Sequence, residues 1–173
     1  LAAALGIVHV ESTARKAIQI DSHLSQLASD VAMKVQIARR YDQSYFLHLE
    51  NPELRDEFVQ KWSIAISDLD QAITAFTAAV TSETDQRQAR LWRTSFDFYQ
   101  HGFQRTTEAV AEGEVQTSQE ALRRFTLYQP NIQFLSDLSL KLARVKASEA
   151  QKAGRDVERS ATVAKTAFGV IGA

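Results

Sequence analysis

Residues 38–47 read ARRYDQSYFL, which sets the cations Arg39 and Arg40 among Tyr41, Tyr45 and Phe46, shortly before Pro52, the first of two prolines. A guanidinium presents a planar fork of donors that grips a carboxylate through two parallel hydrogen bonds. Adjacent arginines beside aromatic rings therefore point to one of two roles. Either they bind an anion, with a small organic acid as the natural ligand, or they form ion pairs on a solvated or intra-bundle helix face.

Composition narrows the functions open to the chain. Lys plus Arg (20) nearly balances Asp plus Glu (21), for a formal net charge of -1, so no overall field draws nucleic acid or anionic lipid. The cysteine count of 0 removes disulfides, thiolate metal sites and cysteine nucleophiles, and leaves the redox compartment open. No glycine-rich phosphate loop occurs, and no nucleophile, base and orienting group can be placed at one height, so neither catalytic residues nor enzyme activity is expected. His9, His23, His48 and His101 do not cluster, and there is no Glu-x-x-His pair of the kind that builds di-iron bundles. Met33 with His101 is the one conceivable pair of axial ligands, and both sit off the apolar seams, so no metal and no cofactor is expected.

The elements that must position the arginines are helices. Apolar residues recur at three- and four-residue steps almost throughout, without sustained alternation of β-branched residues, and the 6 glycines and 2 prolines are few. The first seam runs through Leu24, Leu27, Val31, Val35, Ala38, Tyr45 and Leu49 and stops before Asn51-Pro52, where Asn51 can cap and Pro52 suits a first helical position. This predicts a first helix over about residues 3–49. A second carries Leu54, Phe58, Trp62, Ala65, Leu69, Ala72, Phe76 and Val80 and ends in the polar run 81–85. A third carries Ala89, Trp92, Phe96, Tyr99, Phe103, Thr106 and Val110. Gly113 ends the third helix in the left-handed conformation, Thr117 with Glu120 forms a capping box, and a fourth seam follows through Leu122, Phe125, Leu127, Ile132, Leu135, Leu138, Leu142 and Val145. Pro130 should kink or restart that last helix.

Short connections make sequential helices antiparallel neighbours, so the expected fold is all-α: a single up-down-up-down four-helix bundle over residues 1–173. The first and fourth helices, at roughly 70–80 Å against roughly 45 Å for the middle two, would project from one end of the bundle. LAAALGIVHV at the start and TAFGVIGA at the end are read as the inner stubs of two membrane spans. Counting steps from the distal turns puts Arg40, Trp62, Phe103 and Phe125 at one height, with Tyr99 and Tyr128 just below. Aromatic residues at this spacing are otherwise ordinary core.

The strings ARRYDQSYFLHLENPELRDEFVQKW, LWRTSFDFYQHGF, EGEVQTSQEALRRF and LYQPN resemble, in order and spacing, the four-helix-bundle sensor domain of bacterial chemoreceptors, the methyl-accepting chemotaxis proteins. Sensor histidine kinases use similar domains. The resemblance implies a periplasmic, homodimeric ligand sensor held between two spans of the inner membrane, which passes a small helix displacement to a cytoplasmic output domain. In amino-acid-sensing members, basic residues on the first helix, spaced five and then four apart, meet a Gln-Pro-Thr segment on the fourth. Lys34, Arg39 and Gln43 stand at those spacings here, and Gln129-Pro130-Asn131 stands for the second segment. Gln43 replaces a cation, Asn131 replaces the threonine, and Arg40 is additional. These departures move the expected ligand from an amino acid towards a carboxylic acid, aromatic or dicarboxylic, held by Arg39, Arg40, Gln43, Gln129 and Asn131 with Trp62, Tyr99, Phe103 and Tyr128 nearby. A bundle that binds another protein at its distal tip, with no small ligand, is the competing reading. Gly154 is expected to be a tolerated surface glycine, or else a flexible point in a signalling helix.

Overall fold

The computed structural model describes residues 2–169, with side-chain surroundings for residue 12 and residues 14–163. Those residues are all-α. Five helices follow one another: α1 (Ala2–Leu47), α2 (Pro52–Ala79), α3 (Glu83–Ala111), α4 (Ser118–Phe125) and α5 (Gln129–Gly169).

Each boundary has a local cause. Asn51 accepts from the Leu54 N–H at 3.3 Å and Pro52 opens α2, so the cap and the proline act together. Ser82 caps α3 by accepting from the Asp85 N–H at 3.0 Å, and its hydroxyl donates to the Asp85 carboxylate at 2.7 Å. Gly113 has φ 76°, the left-handed geometry that stops α3. Thr117 accepts from the Glu120 N–H at 3.2 Å, as in a capping box, while the Glu120 carboxylate reaches one residue further back, to the Gln116 N–H at 3.2 Å. Pro130 restarts the chain rather than kinking it. Residues 126–128 form a tight turn, in which Tyr128 N–H donates to Phe125 O at 2.9 Å, and α5 opens immediately before the proline.

The chain forms two compact units. In the unit of residues 27–141, cross-helix contacts set the directions of the helices. Phe76 lies against Trp92 and Trp62 against Tyr99 and Phe103, so α2 and α3 are antiparallel. Gln36 donates to Ser136 at 2.8 Å and Arg39 donates to Gln133, so α1 and α5 are antiparallel. Asp42 meets Tyr99, and Tyr45 meets Phe103, so α1 and α3 run parallel. The core is aromatic near Phe46, Trp62, Tyr99, Phe103 and Phe125. It turns small between α1 and α5, where Ala28, Ala32, Ala38, Ser136 and Ser139 are buried. The unit of residues 1–26 and 142–173 is held by Lys146 between Asp21 at 3.4 Å and Glu149 at 3.1 Å, and by Ser25 donating to the Ala143 carbonyl at 2.9 Å.

The two terminal segments read as membrane stubs lie outside the described side chains. No helix among the described residues is long and apolar enough to cross a membrane.

One packing contact fixes the turn between α4 and α5. The Tyr128 ring lies on the Gly102 backbone of α3 so closely that a Cβ there would overlap it. A Cβ on Gly154 would meet nothing, as a surface glycine requires. Gly102→Ala should therefore destabilise by about 1–3 kcal/mol, the usual cost of overpacking. Gly154→Ala should be neutral or gain up to about 1 kcal/mol of helix propensity. Urea unfolding of the two variants checks both signs.

Candidate functional site

The site begins with Asp42, a residue the apolar seam skips. It lies four residues beyond Ala38 and three before Tyr45, so the helix turns it onto the same buried stripe, and it is only 4% exposed. Its partner comes from α3: the Tyr99 hydroxyl donates to Asp42 Oδ2 at 2.6 Å. Tyr99 in turn accepts from the Trp62 indole N–H of α2 at 3.1 Å. A directed chain, Trp62 to Tyr99 to Asp42, thus crosses three helices inside the core.

Burial dominates the electrostatics of this chain. Loss of hydration pushes the Asp42 carboxyl up to about 7, against the opposing effects of the Tyr99 hydrogen bond, the Arg39 charge and the Gln43 backbone N–H. The Tyr99 hydroxyl is raised well above its ordinary value, first by its own burial and then by the Asp42 charge, and so remains a donor.

Arg39, three residues before Asp42 and on the neighbouring face of α1, is half-buried. Its guanidinium donates to Gln133 Oε1 on α5, and Gln133 Nε2 donates to Asp137 Oδ1 at 2.9 Å. Gln133 is one helical turn beyond Gln129. Arg39 therefore reaches α5 next to the proline break, with its charge between a buried carboxyl and the surface. Arg40 is exposed and points away, because successive helical residues are about 100° apart. The two arginines do not form one fork.

The remaining residues named from the sequence divide clearly. Trp62, Tyr99 and Phe103 are 4%, 0% and 1% exposed, and Tyr99 and Phe103 pack with Phe125. Trp62 stacks on Phe103 at 4.1 Å between centroids, and Phe103 meets Phe125 edge-on at 5.8 Å. These rings belong to the core. Tyr128, Gln129 and Asn131 are half-buried at the α4–α5 turn, where Asn131 Nδ2 donates to the Tyr128 carbonyl at 3.5 Å. Gln43 is exposed, and its backbone N–H serves Asp42. Lys34 is paired with Asp30 at 3.9 Å. Met33, His23 and His101 are exposed, His48 stacks on Phe58, and His9 lies outside the described side chains.

The expected layer holds for three helical segments and shifts on the first. Trp62, Phe103 and Phe125 do meet, but the α1 residues among them are Tyr45 and Phe46 rather than Arg40. Counting from the turns equates backbone heights. Side chains lean towards the N-terminus of their own helix, so rings on α1 lean away from the Asn51 turn and those on α2 lean towards it. Sequence reasoning missed Asp42, Gly102 and Gln133. For Asp42 a signal existed, since the seam leaps seven residues from Ala38 to Tyr45 and the midway position is an acid.

Compared with family models, curated proteins and solved structures, the chain matches none.

The raised Asp42 carboxyl has a definite sign. Its folded value is above its unfolded value of 3.8, so the folded state holds the proton more tightly. Stability is then greatest below about pH 4, falls as pH rises through about 7, and levels off above that. Asp42→Asn keeps an acceptor for Tyr99 and removes the charge. It should gain as much as about 4 kcal/mol over the parent at pH 8 and little near pH 4, since each tenfold difference in proton affinity between the folded and unfolded chain is worth about 1.4 kcal/mol. Tyr99→Phe should cost about 1–3 kcal/mol by stranding both neighbours. Denaturant unfolding across pH measures each.

Proposed function

We propose that residues 27–141 form an antiparallel up-down-up-down four-helix bundle, with α4 and α5 together as its fourth member, and that the chain is the ligand-binding sensor domain of a transmembrane chemoreceptor. The ligand is a small organic acid. The observation that carries this reading is Arg39: a half-buried residue whose guanidinium makes a surface hydrogen bond to α5 beside the proline break while its charge acts on a polar chain through α1, α2 and α3.

A carboxylate at this position would bind Arg39 and the amide groups of Gln129 and Asn131 on the rim of the α4–α5 turn, with Arg40 and Gln43 on the exposed side. The ligand would compete with Gln133 for the guanidinium. Occupancy therefore favours one placement of α5 against α1 over another, and differential affinity for the two is what a sensor requires. Helix shifts of about 1–2 Å are a common output of such switches. In the full receptor the domain would be periplasmic, homodimeric and anchored in the inner membrane, with no enzymatic activity of its own. The sensor domain of a histidine kinase would use the same machinery.

The second reading is a protein-binding or structural bundle, favoured by the burial of Trp62, Tyr99 and Phe103 in the core. With those rings occupied by one another, an aromatic ligand loses its expected stacking partners. This leaves the arginine and amide rim as the recognition surface and tilts the ligand towards an aliphatic or dicarboxylic acid.

Isothermal titration against aliphatic, aromatic and dicarboxylic acids and amino acids decides between the two. Arg39→Ala should lower affinity for the active acid by at least about tenfold, within the range for removing one charged hydrogen-bond partner, and Arg40→Ala should lower it less. Binding unchanged in both variants removes the site, and no binding by any acid favours the protein-binding reading.

A further inference from the structure

Asp42 and Arg39 share one turn of α1 on neighbouring faces, Asp42 buried and Arg39 half-buried. Asp42 is sealed in the core against Tyr99 of α3, with Trp62 of α2 behind it. From α4 the neighbour of Tyr99 is the apolar ring of Phe125 at 5.8 Å. From α5 comes the neutral amide of Gln133, bonded to Arg39 and passing on to Asp137. On α1 itself Arg39 is the cation whose charge reaches Asp42, and the Gln43 N–H donates to it. One guanidinium is thus shared between an internal carboxyl and whatever occupies its outer side.

We propose that Asp42 is the proton-linked partner of the Arg39 site, so that an organic anion held by Arg39 and a proton held by Asp42 each favour the other. This rests on the carboxylate-sensing reading above and adds its regulation: the domain reads pH and ligand together. An anion outside Arg39 offsets the positive charge that keeps Asp42 ionised. It also adds a negative charge near a carboxylate that water does not screen. Both effects favour the neutral acid. Asp42 then takes a proton from solvent, and no other bond changes. Linkage is reciprocal, so a fall in pH strengthens anion binding by up to about tenfold per pH unit, the limit for one coupled proton. The value near 7 for Asp42 places the exchange around neutrality.

The Trp62 indole N–H, assigned in heteronuclear NMR against Trp62→Phe, reports on the chain without any ligand. Its resonance should titrate once, with a midpoint near 7, and stay flat in Asp42→Asn, which is close to isosteric and should fold. Calorimetry with succinate and with benzoate as probes, at about pH 6 and about pH 8, should show tighter binding at the lower pH with net proton uptake. Asp42→Asn should still bind while losing both the pH dependence and the uptake. Binding that is lost in Arg39→Ala but independent of pH overturns the linkage and leaves the site standing, as does a flat Trp62 signal in the parent that still binds. Binding indifferent to Arg39→Ala, or no heat from either probe, removes the site and the linkage with it.

Discussion

The hydrogen-bond chain from Trp62 through Tyr99 to Asp42 constrains the rest of residues 27–141. A carboxyl in a core of aromatic rings gives up its hydration, and one hydrogen bond from Tyr99 and a nearby arginine recover only part of that loss. What the chain supplies is register. If α1 slid by one turn, Ala38 or Tyr45 would face the Tyr99 hydroxyl in place of Asp42. Tyr99 would then be buried without an acceptor, and the carboxyl would lie against hydrocarbon. An apolar seam alone tolerates such slips, because leucine, valine and alanine pack on many surfaces. The polar chain rejects them and ties α1, α2 and α3 to one another in a single arrangement.

The two tryptophans show how unevenly this specification is distributed. Trp62 has a partner for its indole N–H, whereas Trp92, fully buried and packed on Phe76 at 4.3 Å, has none among the described residues. At the Trp92 end the core is held by ring packing on Phe76. At the Trp62 end it is held by directed bonds. Hydrocarbon packing permits small relative movement of helices, and a hydrogen-bond chain resists it until one of its members changes charge. Asp42 is the member able to do so near neutral pH.

Helix ends were legible in the sequence because their causes are local. Asn51 with Pro52, Gly113, and Thr117 with Glu120 each act within a few residues, and each does in the structure what its type and spacing required. The all-α class was legible from periodicity for the same reason. Asp42 was not, because its meaning depends on Tyr99, fifty-seven positions away, and a pattern built on apolar residues passes over an acid within the stripe. Gly102 was illegible in the same way: its missing Cβ matters only because Tyr128 lies on it. Arg39 was picked out by its neighbours in the sequence, but its difference from Arg40 depends on which side of the helix α5 occupies.

That difference bears on what the opening decapeptide can do. Two adjacent arginines suggest a doubled positive charge aimed at one anion, yet helical geometry separates them, and only Arg39 is near both α5 and the buried carboxyl. An anion at Arg40 would meet solvent on most sides and alter no helix contact, so it would bind weakly. An anion at Arg39 would compete with Gln133, which joins α1 to α5, and would perturb Asp42, which joins α1 to α3. The rings counted as a possible ligand cage are instead packed on one another or on Phe98 and Phe125. On the proposed reading, ligand and proton would converge on a single turn of α1, which carries both the half-buried Arg39 and the buried Asp42.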